Sequence, residues 1–273
     1  MIILGATPIG NLGDASGRLR EALATATVIA AEDTRTAKQL LRGLGIEWQA
    51  SFVALHEHNE EAASPALVER ARGEDVLVLT DAGMPTVSDP GFRLVQAAVA
   101  AGVEVTCLPG PSAVLTALAL SGLPTDRFAF DGFLPRKAGE RDRFLASVAR
   151  EERTLVLFEA PHRLAESVEA IARAMPERRM AVCRELTKRY EEVRRGSAAE
   201  LLPWASEGVK GEIVLVIEGA RPALTDMDAA VEQVLRLKEG GMRLKDAAAE
   251  VADATGHARN ALYQAALTNP TPA

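Results

Sequence analysis

The chain has 273 residues, 48% of them hydrophobic and 25% charged, with a formal net charge of −7. That length accommodates two domains and a small appendage, and the acidic balance argues against indiscriminate binding of polyanions. No segment reaches the roughly 18 uninterrupted apolar residues of a membrane helix, and Met1 leads directly into an apolar strand, so a cytoplasmic protein without span or secretory leader is expected.

Residues 1 to about 120 alternate strand and helix patterns. Strands are expected at Ile2–Leu4, Val28–Ala31, Phe52–Leu55, Val76–Leu79 and Val103–Cys107, with helices at Arg18–Thr25, Thr36–Leu44, Ala66–Arg72 and Phe92–Ala101 between them. This is the signature of a parallel, doubly wound sheet. Ser112–Ser121 reads as a nearly all-apolar helix, expected to be buried at a domain junction, and Gly122–Asp126 as the boundary. In the second segment, strands fit Phe128–Phe133, Thr154–Phe158, Met180–Arg184 and Glu212–Glu218, and helices fit Glu140–Ala149 and His162–Ala174. Glu191–Arg195 is expected to add an antiparallel edge strand to a mixed sheet. After Arg221-Pro222 the texture changes to short helices at Asp226–Lys238, Leu244–Ala252 and Ala258–Ala266, separated by Gly-containing turns. The expected domains are therefore 1–121, 122–221 and a helix-turn-helix-like tail at 222–273, with Thr268–Ala273 disordered. The tail from Asp226 carries seven acidic and five basic side chains, a weak electrostatic footprint for nucleic acid. A helical cap with no such role fits it equally.

Three strands are followed by Gly/Pro-rich loops: Gly5–Gly10, Asp81–Gly91 and Pro109–Ala113. The middle one exceeds the two to six residues that a turn alone requires. All three stand at carboxyl ends of strands, where open α/β sheets bind ligands. Gly5-x4-Gly10 has P-loop glycine spacing, but Asn11-Leu12 occupy the Lys-Ser/Thr positions, so nucleotide hydrolysis is not expected. Neither a dinucleotide fingerprint nor a Gly-x-Ser-x-Gly elbow is present. No Cys/His spacing points to metal. Cys107 and Cys183 fit a reducing compartment as small buried hydrophobes. His56 and His58 alternate near a strand end, in a polar loop.

An ordered set of motifs runs through the chain: Thr7–Leu12, Ala31–Arg35, His56–Asn59, Asp81–Gly91, Leu108–Ala113, Ser121–Arg127, Gly132–Lys137, Pro161–Arg163, Arg184–Lys188 and Lys210–Val216. With it the chain resembles the ribosomal RNA small subunit methyltransferase I family, from Met1 to about Gly219 and more weakly in the tail. Met84 stands where that family more often has Thr, and Ala160 where it has Ser. The resemblance implies an α/β, two-domain tetrapyrrole-methylase-like fold, the class III S-adenosylmethionine-dependent methyltransferases, with a small C-terminal helical module. It implies methyl transfer from S-adenosylmethionine to the ribose 2′-hydroxyl of a cytidine in the decoding region of small-subunit (16S) ribosomal RNA, by a homodimer without metal.

Pro8, Asp81, Ala82, Gly83, Ser88, Ser112 and Ala113, with Phe158, Thr187 and Gly211 from the second segment, match the family's cofactor-loop positions. A phosphate-free cofactor needs no P-loop lysine, which agrees with the loops themselves. Ser112 could equally cap the helix that begins there. A ribose hydroxyl benefits from a base or cation nearby, and Glu32, Asp33, Arg35, Glu185 and Lys188 are the candidates, with salt bridges that brace the cleft as the alternative. Residues 178–195 hold seven basic and three acidic side chains. Arg184, Lys188 and Arg189, with Arg136 and Lys137, are the candidate RNA contacts, which would position RNA through phosphates. The same charges could instead form a solvated surface with internal salt bridges. Rival readings are a tetrapyrrole or protein-residue methyltransferase of the same fold, and a noncatalytic ribosome-assembly factor.

Overall fold

A computed structural model describes residues 1–220 and 226–268; the Arg221-Pro222 break and residues 269–273 of the tail lie outside the described residues. The chain divides into two compact units, Met1–Val148 with Thr154–Glu218, and Ala149–Arg153 with the described part of Gly219–Ala273.

The first unit contains two five-stranded sheets. The first is built from β1 (Ile2–Gly5), β2 (Val28–Ala31), β3 (Ser51–Ala54), β4 (Val76–Leu79) and β5 (Val105–Leu108), in the order β3-β2-β4-β1-β5. Every neighbouring pair is parallel. Its apolar runs are continuous because both faces are covered. Val28, Ala30, Val76 and Val78 face one cluster with Leu67, Val68, Leu94 and Ala98, from α3 (Glu60–Ala71) and α4 (Phe92–Ala100). Ile29, Ala31, Leu77 and Leu79 face the other with Leu19, Leu23, Ala37 and Leu41, from α1 (Gly17–Thr25) and α2 (Thr34–Gly43). The alternation is the two-residue period of a strand.

The second sheet is mixed. It runs β6-β7-β10-β8-β9, from β6 (Phe128–Phe133), β7 (Thr154–Glu159), β8 (Arg179–Arg184), β9 (Glu192–Ser197) and β10 (Ile213–Ile217). Only β6 and β7 are parallel, and β9 forms the expected antiparallel edge on β8. One face packs against α6 (Ala138–Ser147), α7 (Leu164–Ala174) and α8 (Ala198–Ala205). The sequence reading missed α8, although Ser197 and Glu200 form a capping box at its start; Pro203 within it obscured the helical pattern.

The other face packs against α5 (Ala113–Ser121), whose Val114, Ala117 and Leu118 meet Val156, Ala181, Cys183, Val214 and Val216. The expectation that this nearly all-apolar helix is buried at a domain junction is corrected here, since one of its faces is exposed. Leu115 is 56% exposed and Leu120 36%, because α5 lies on the surface of one sheet. Cys107 is likewise only half-buried, whereas Cys183 is fully buried.

The second unit contains α9 (Met227–Glu239), α10 (Leu244–Thr255) and α11 (Arg259–Thr268) around a small core of Ala230, Val231, Val234, Ala247, Ala248, Val251, Leu262 and Ala266. Gly256, in the left-handed region at φ 73°, ends α10, the usual role of glycine at a helix C-terminus.

Candidate active site

The three Gly/Pro loops meet. Thr7 and Gly83 exchange backbone hydrogen bonds at 2.9 and 3.1 Å, and the Thr7 hydroxyl donates to the Thr80 carbonyl. Gly83 lies beside Ile9 and the Pro111 carbonyl at φ 86°, a conformation that favours glycine, while a Cβ at Gly110 would fall 3.0 Å from that of Ala6. The far end of the Asp81–Gly91 loop is fixed by Glu60, whose buried carboxylate accepts from the backbone N–H groups of Gly91, Arg93 and Leu94 at 2.9, 2.7 and 3.2 Å. Glu60 thus caps α4 from another helix, a role that its own sequence neighbourhood does not signal.

A cavity of about 690 Å³ opens between these loops and one edge of the second sheet. In that sheet β7 and β8 end, and β10 begins, at the same edge: Ile213 pairs with both Glu159 and Arg184. Ala82, Gly83, Ser88, Ser112 and Ala113 therefore line the same cavity as Phe158 and Gly211. Those seven of the ten cofactor candidates come together. Pro8 and Asp81 line an adjoining cavity of about 370 Å³ instead. Thr187 lines neither; its hydroxyl is buried without a partner, and it packs on Gly10. Ser112 caps α5 through Leu115 N–H and also lines the cavity.

The backbone is unusual around this space. Thr86, Ser88, Glu185 and Thr187 all have positive φ, a costly conformation for residues with side chains that clusters at functional sites. Gly211 is at φ 98°, and a Cβ there would fall 2.4 Å from Glu185 Cγ. Phe130, Phe133 and Phe158 pack edge-on at one side, with ring centroids 4.8 and 5.4 Å apart. Beneath them the buried Glu159 accepts from Ser167 and from Ala160 N–H and pairs with Arg163 at 3.4 Å. Arg163 donates in turn to the carbonyls of Leu134 and Pro135, tying the loop after β6 to the cavity wall.

Carboxylates dominate the electrostatics. Burial, reinforced by the charges of Glu32 and Asp81, pushes the Asp89 carboxyl up to about 7, and Asp89 lines the larger cavity. The sequence reading did not single it out. Desolvation also raises Glu32 and Asp81, whereas hydrogen bonds from Arg35 hold Asp33 at about 2. Glu32, Asp33 and Arg35 line neither cavity. Glu185 and Lys188 do line the larger one, 2.9 Å apart, with Glu212 at 3.1 Å from the same ammonium. The hydrogen bond from Lys188 lowers Glu185. Burial works against the Lys188 charge, but hydrogen bonds to Glu185 and Glu212 outweigh it and raise its pKa. The five candidate catalytic residues thus fall into two separate groups.

The basic segment is largely neutralised within the chain. Arg179 pairs with Glu218, Arg184 and Arg194 with Glu192, and Lys188 with Glu185 and Glu212. Arg195 donates to the carbonyls of Leu120 and Ser121. Lys137 pairs with Glu140, while Arg189 stacks on the exposed Tyr190 and Arg136 is exposed. Among the described residues, no group of three or more His, Cys, Asp or Glu could hold a metal ion, and no helix is long and apolar enough to cross a membrane.

Comparison with known proteins gives a consistent picture. Residues 1–202 match the family described as Tetrapyrrole (Corrin/Porphyrin) Methylases, and residues 225–269 the RsmI C-terminal HTH domain. The ribosomal RNA small subunit methyltransferase I of Mycobacterium tuberculosis H37Rv is 49% identical over 272 residues, covering 97% of this chain and 94% of that protein. That of Escherichia coli O157:H7 is 42% identical, covering 96% and 92%. Among solved structures, the methyltransferase CobJ aligns with a TM-score of 0.61 at 20% identity, covering 80% of this chain and 94% of the other. A Thermus thermophilus uroporphyrin-III C-methyltransferase, complexed with S-adenosyl homocysteine, aligns at 0.55 and 21% identity, covering 80% and 96%.

Proposed function

This chain belongs to the ribosomal RNA small subunit methyltransferase I family within the tetrapyrrole methylases, and from that premise we propose that it methylates the ribose 2′-hydroxyl of a cytidine in the decoding region of small-subunit (16S) ribosomal RNA, using S-adenosylmethionine. The observation that carries this reading is the cavity of about 690 Å³, to which loops of both sheets contribute. Its walls are apolar at Ile9, Val87, Val114, Phe133, Phe158 and Ile213, and it carries the carboxylates of Asp89, Glu185 and Glu212. That combination suits an uncharged heterocycle joined to a cationic sulfonium and ammonium. Gly83 and Gly211 both line the cavity at positive φ, where a side chain would be strained, and at Gly211 a Cβ would in addition collide with Glu185. When bound, S-adenosylmethionine supplies a methyl group already activated by its sulfonium.

The chain must then align the ribose oxygen in line and accept its proton. Glu32 and Asp33 do not line the cavity, and the Glu185 carboxylate is engaged by the Lys188 ammonium and the Glu212 N–H. Asp89 lines it, and its carboxyl titrates close to neutrality; its carboxylate oxygen takes the proton. Lys188, kept charged by Glu185 and Glu212, offsets negative charge that develops on the oxygen. The aromatic cluster of Phe133 and Phe158 helps to exclude water. Arg136, Lys137 and Arg189, with the helical module, contact the RNA backbone, and the enzyme works in the cytoplasm as a homodimer.

RNA is favoured over a macrocycle by coverage. The small-subunit methyltransferase relatives span 97% and 96% of this chain, whereas the tetrapyrrole-methylase structures span 80%, and residues 225–269 match the RsmI C-terminal HTH domain. Incubation of purified small subunits with tritiated S-adenosylmethionine, followed by nuclease mapping, tests the proposal. Label in a single alkali-resistant cytidine-containing dinucleotide is expected; label on protein, on a base, or nowhere would refute it.

A further inference from the structure

The smaller cavity adjoins the larger one through two chain segments. Gly10 lines the smaller cavity and Ile9 the larger; Asp81 lines the smaller, and Ala82 and Gly83 the larger. Lys188 lines the larger cavity, and its side chain lies over Gly10, where a Cβ would fall 2.4 Å from Lys188 Cγ. A molecule held across this junction reaches from one space into the other.

The lining of the smaller cavity has the chemistry of a single-ring base site. Pro8, Leu12 and Leu40 offer apolar surface, while Asp81, Thr36 and Gln39 supply polar groups. At about 370 Å³ it has room for one pyrimidine. Asp81 accepts from Asp33 N–H at 3.3 Å and from the Thr36 hydroxyl, so its carboxylate is held in place, with lone pairs remaining for a further donor. Gln39 is exposed on α2 and brings both a donor and an acceptor. The pairing edge of cytosine presents an amino donor beside two acceptors, and an acidic side chain is the established partner for that amino group. Uracil presents a carbonyl at the same position, which would face the carboxylate acceptor to acceptor.

We propose that this smaller cavity receives the unstacked pyrimidine base of the target nucleotide and reads its 4-amino group through Asp81 and Gln39, with the ribose lying at the junction beside Lys188. The inference rests on the RNA-methyltransferase reading above, and it assigns Asp81 to substrate rather than to cofactor. Enzymes that modify a nucleotide commonly extrude it and read its pairing edge in this way.

The test uses the full chain and small subunits reconstituted with cytidine or uridine at the methylated position, with tritiated methyl transfer and calorimetric titration of S-adenosylmethionine as separate readouts. Wild-type enzyme should prefer cytidine by about tenfold or more, the value of one well-made base contact. Asp81→Asn should narrow that preference and Gln39→Leu should lower kcat/KM by about tenfold, both with cofactor affinity within about twofold of wild type. Because Gln39 is exposed, its replacement folds normally, which a thermal melt verifies. Wild-type discrimination and turnover in both variants would overturn the base pocket while leaving the methyltransferase reading intact. Loss of cofactor affinity in Asp81→Asn would return that residue to the cofactor and overturn the assignment. No transfer to either subunit by wild-type enzyme would remove the reading on which the inference stands.

Discussion

The two sheets of the first unit have five strands each and contribute to the same cavity, but they do so differently. In the first sheet every strand is parallel, so the loops after β1, β4 and β5 all emerge on one edge, and motifs spread over more than a hundred residues converge without further devices. In the second, antiparallel pairing sends successive strand ends to opposite edges. Its contribution comes from the ends of β6, β7 and β8 and from the start of β10, and it is held by side-chain ties such as Glu159–Arg163 and Glu185–Lys188. A parallel edge collects its loops through topology; a mixed edge requires specific side-chain and backbone contacts.

That contrast can be broken most sharply at Gly211, on the mixed edge. Gly211→Ala forces a Cβ into Glu185 at a positive φ, so cofactor affinity should fall more than about 100-fold by calorimetry. Gly45→Ala serves as the control. Gly45 also has positive φ, at 68°, but open space lies around it, so that variant should bind normally.

On the parallel edge the sensitive point is the cap on α4. Glu60→Ala leaves three backbone donors without their carboxylate, and thermal or urea unfolding should show a loss of about 2–3 kcal/mol. An unchanged midpoint would mean that water or another group replaces the cap.

Asp89 sharpens the comparison through pH. Its folded-state pKa of about 7 lies above the ordinary 3.8, so the native state binds more protons, and its contribution to stability is lost as pH rises from about 4 to 7. Asp89→Asn removes that loss. The variant should melt above wild type at pH 8, match it near pH 4, and have lost most methyl transfer at pH 8, where the wild-type carboxyl is ionised. Equal melting at pH 8 would show that Asp89 is solvated, and retained turnover would exclude it as the proton acceptor.

The smallest effect is expected on the basic face of the second sheet. Arg189→Gln should reduce the salt dependence of RNA binding by about one unit of slope, and Arg184→Gln by less, because Glu192 already pairs with Arg184. Equal slopes for the two variants would show that RNA displaces the internal partner.

The parallel half was the more legible in the sequence. Continuous apolar runs such as Val76–Leu79 announce strands buried on both faces, and a Gly/Pro-rich loop after such a run announces a site. The mixed half was less legible, because its elements depend on partners distant in the chain. Ser197–Glu200 marks α8 only once the proline within the helix is discounted. The basic run 178–195 looked like an RNA surface because Glu212 and Glu218, which neutralise part of it, lie about twenty or more residues downstream. Within the site, Ser88, Ser112 and Gly211 were legible as loop residues, but Asp89 was not, because its shift arises from burial and from the charges of Glu32 and Asp81 across the fold. The separation of Pro8 and Asp81 from the other cofactor candidates was also invisible, since it depends on which wall each faces.

The claim that both edges make one cofactor site is tested most directly by amide hydrogen exchange with and without S-adenosylmethionine. The cavity lining predicts slowed exchange in residues 82–89 and 112–114 of the first half together with 158–160 and 211–214 of the second. Protection confined to the first-half loops, or absent from both sets, would contradict it.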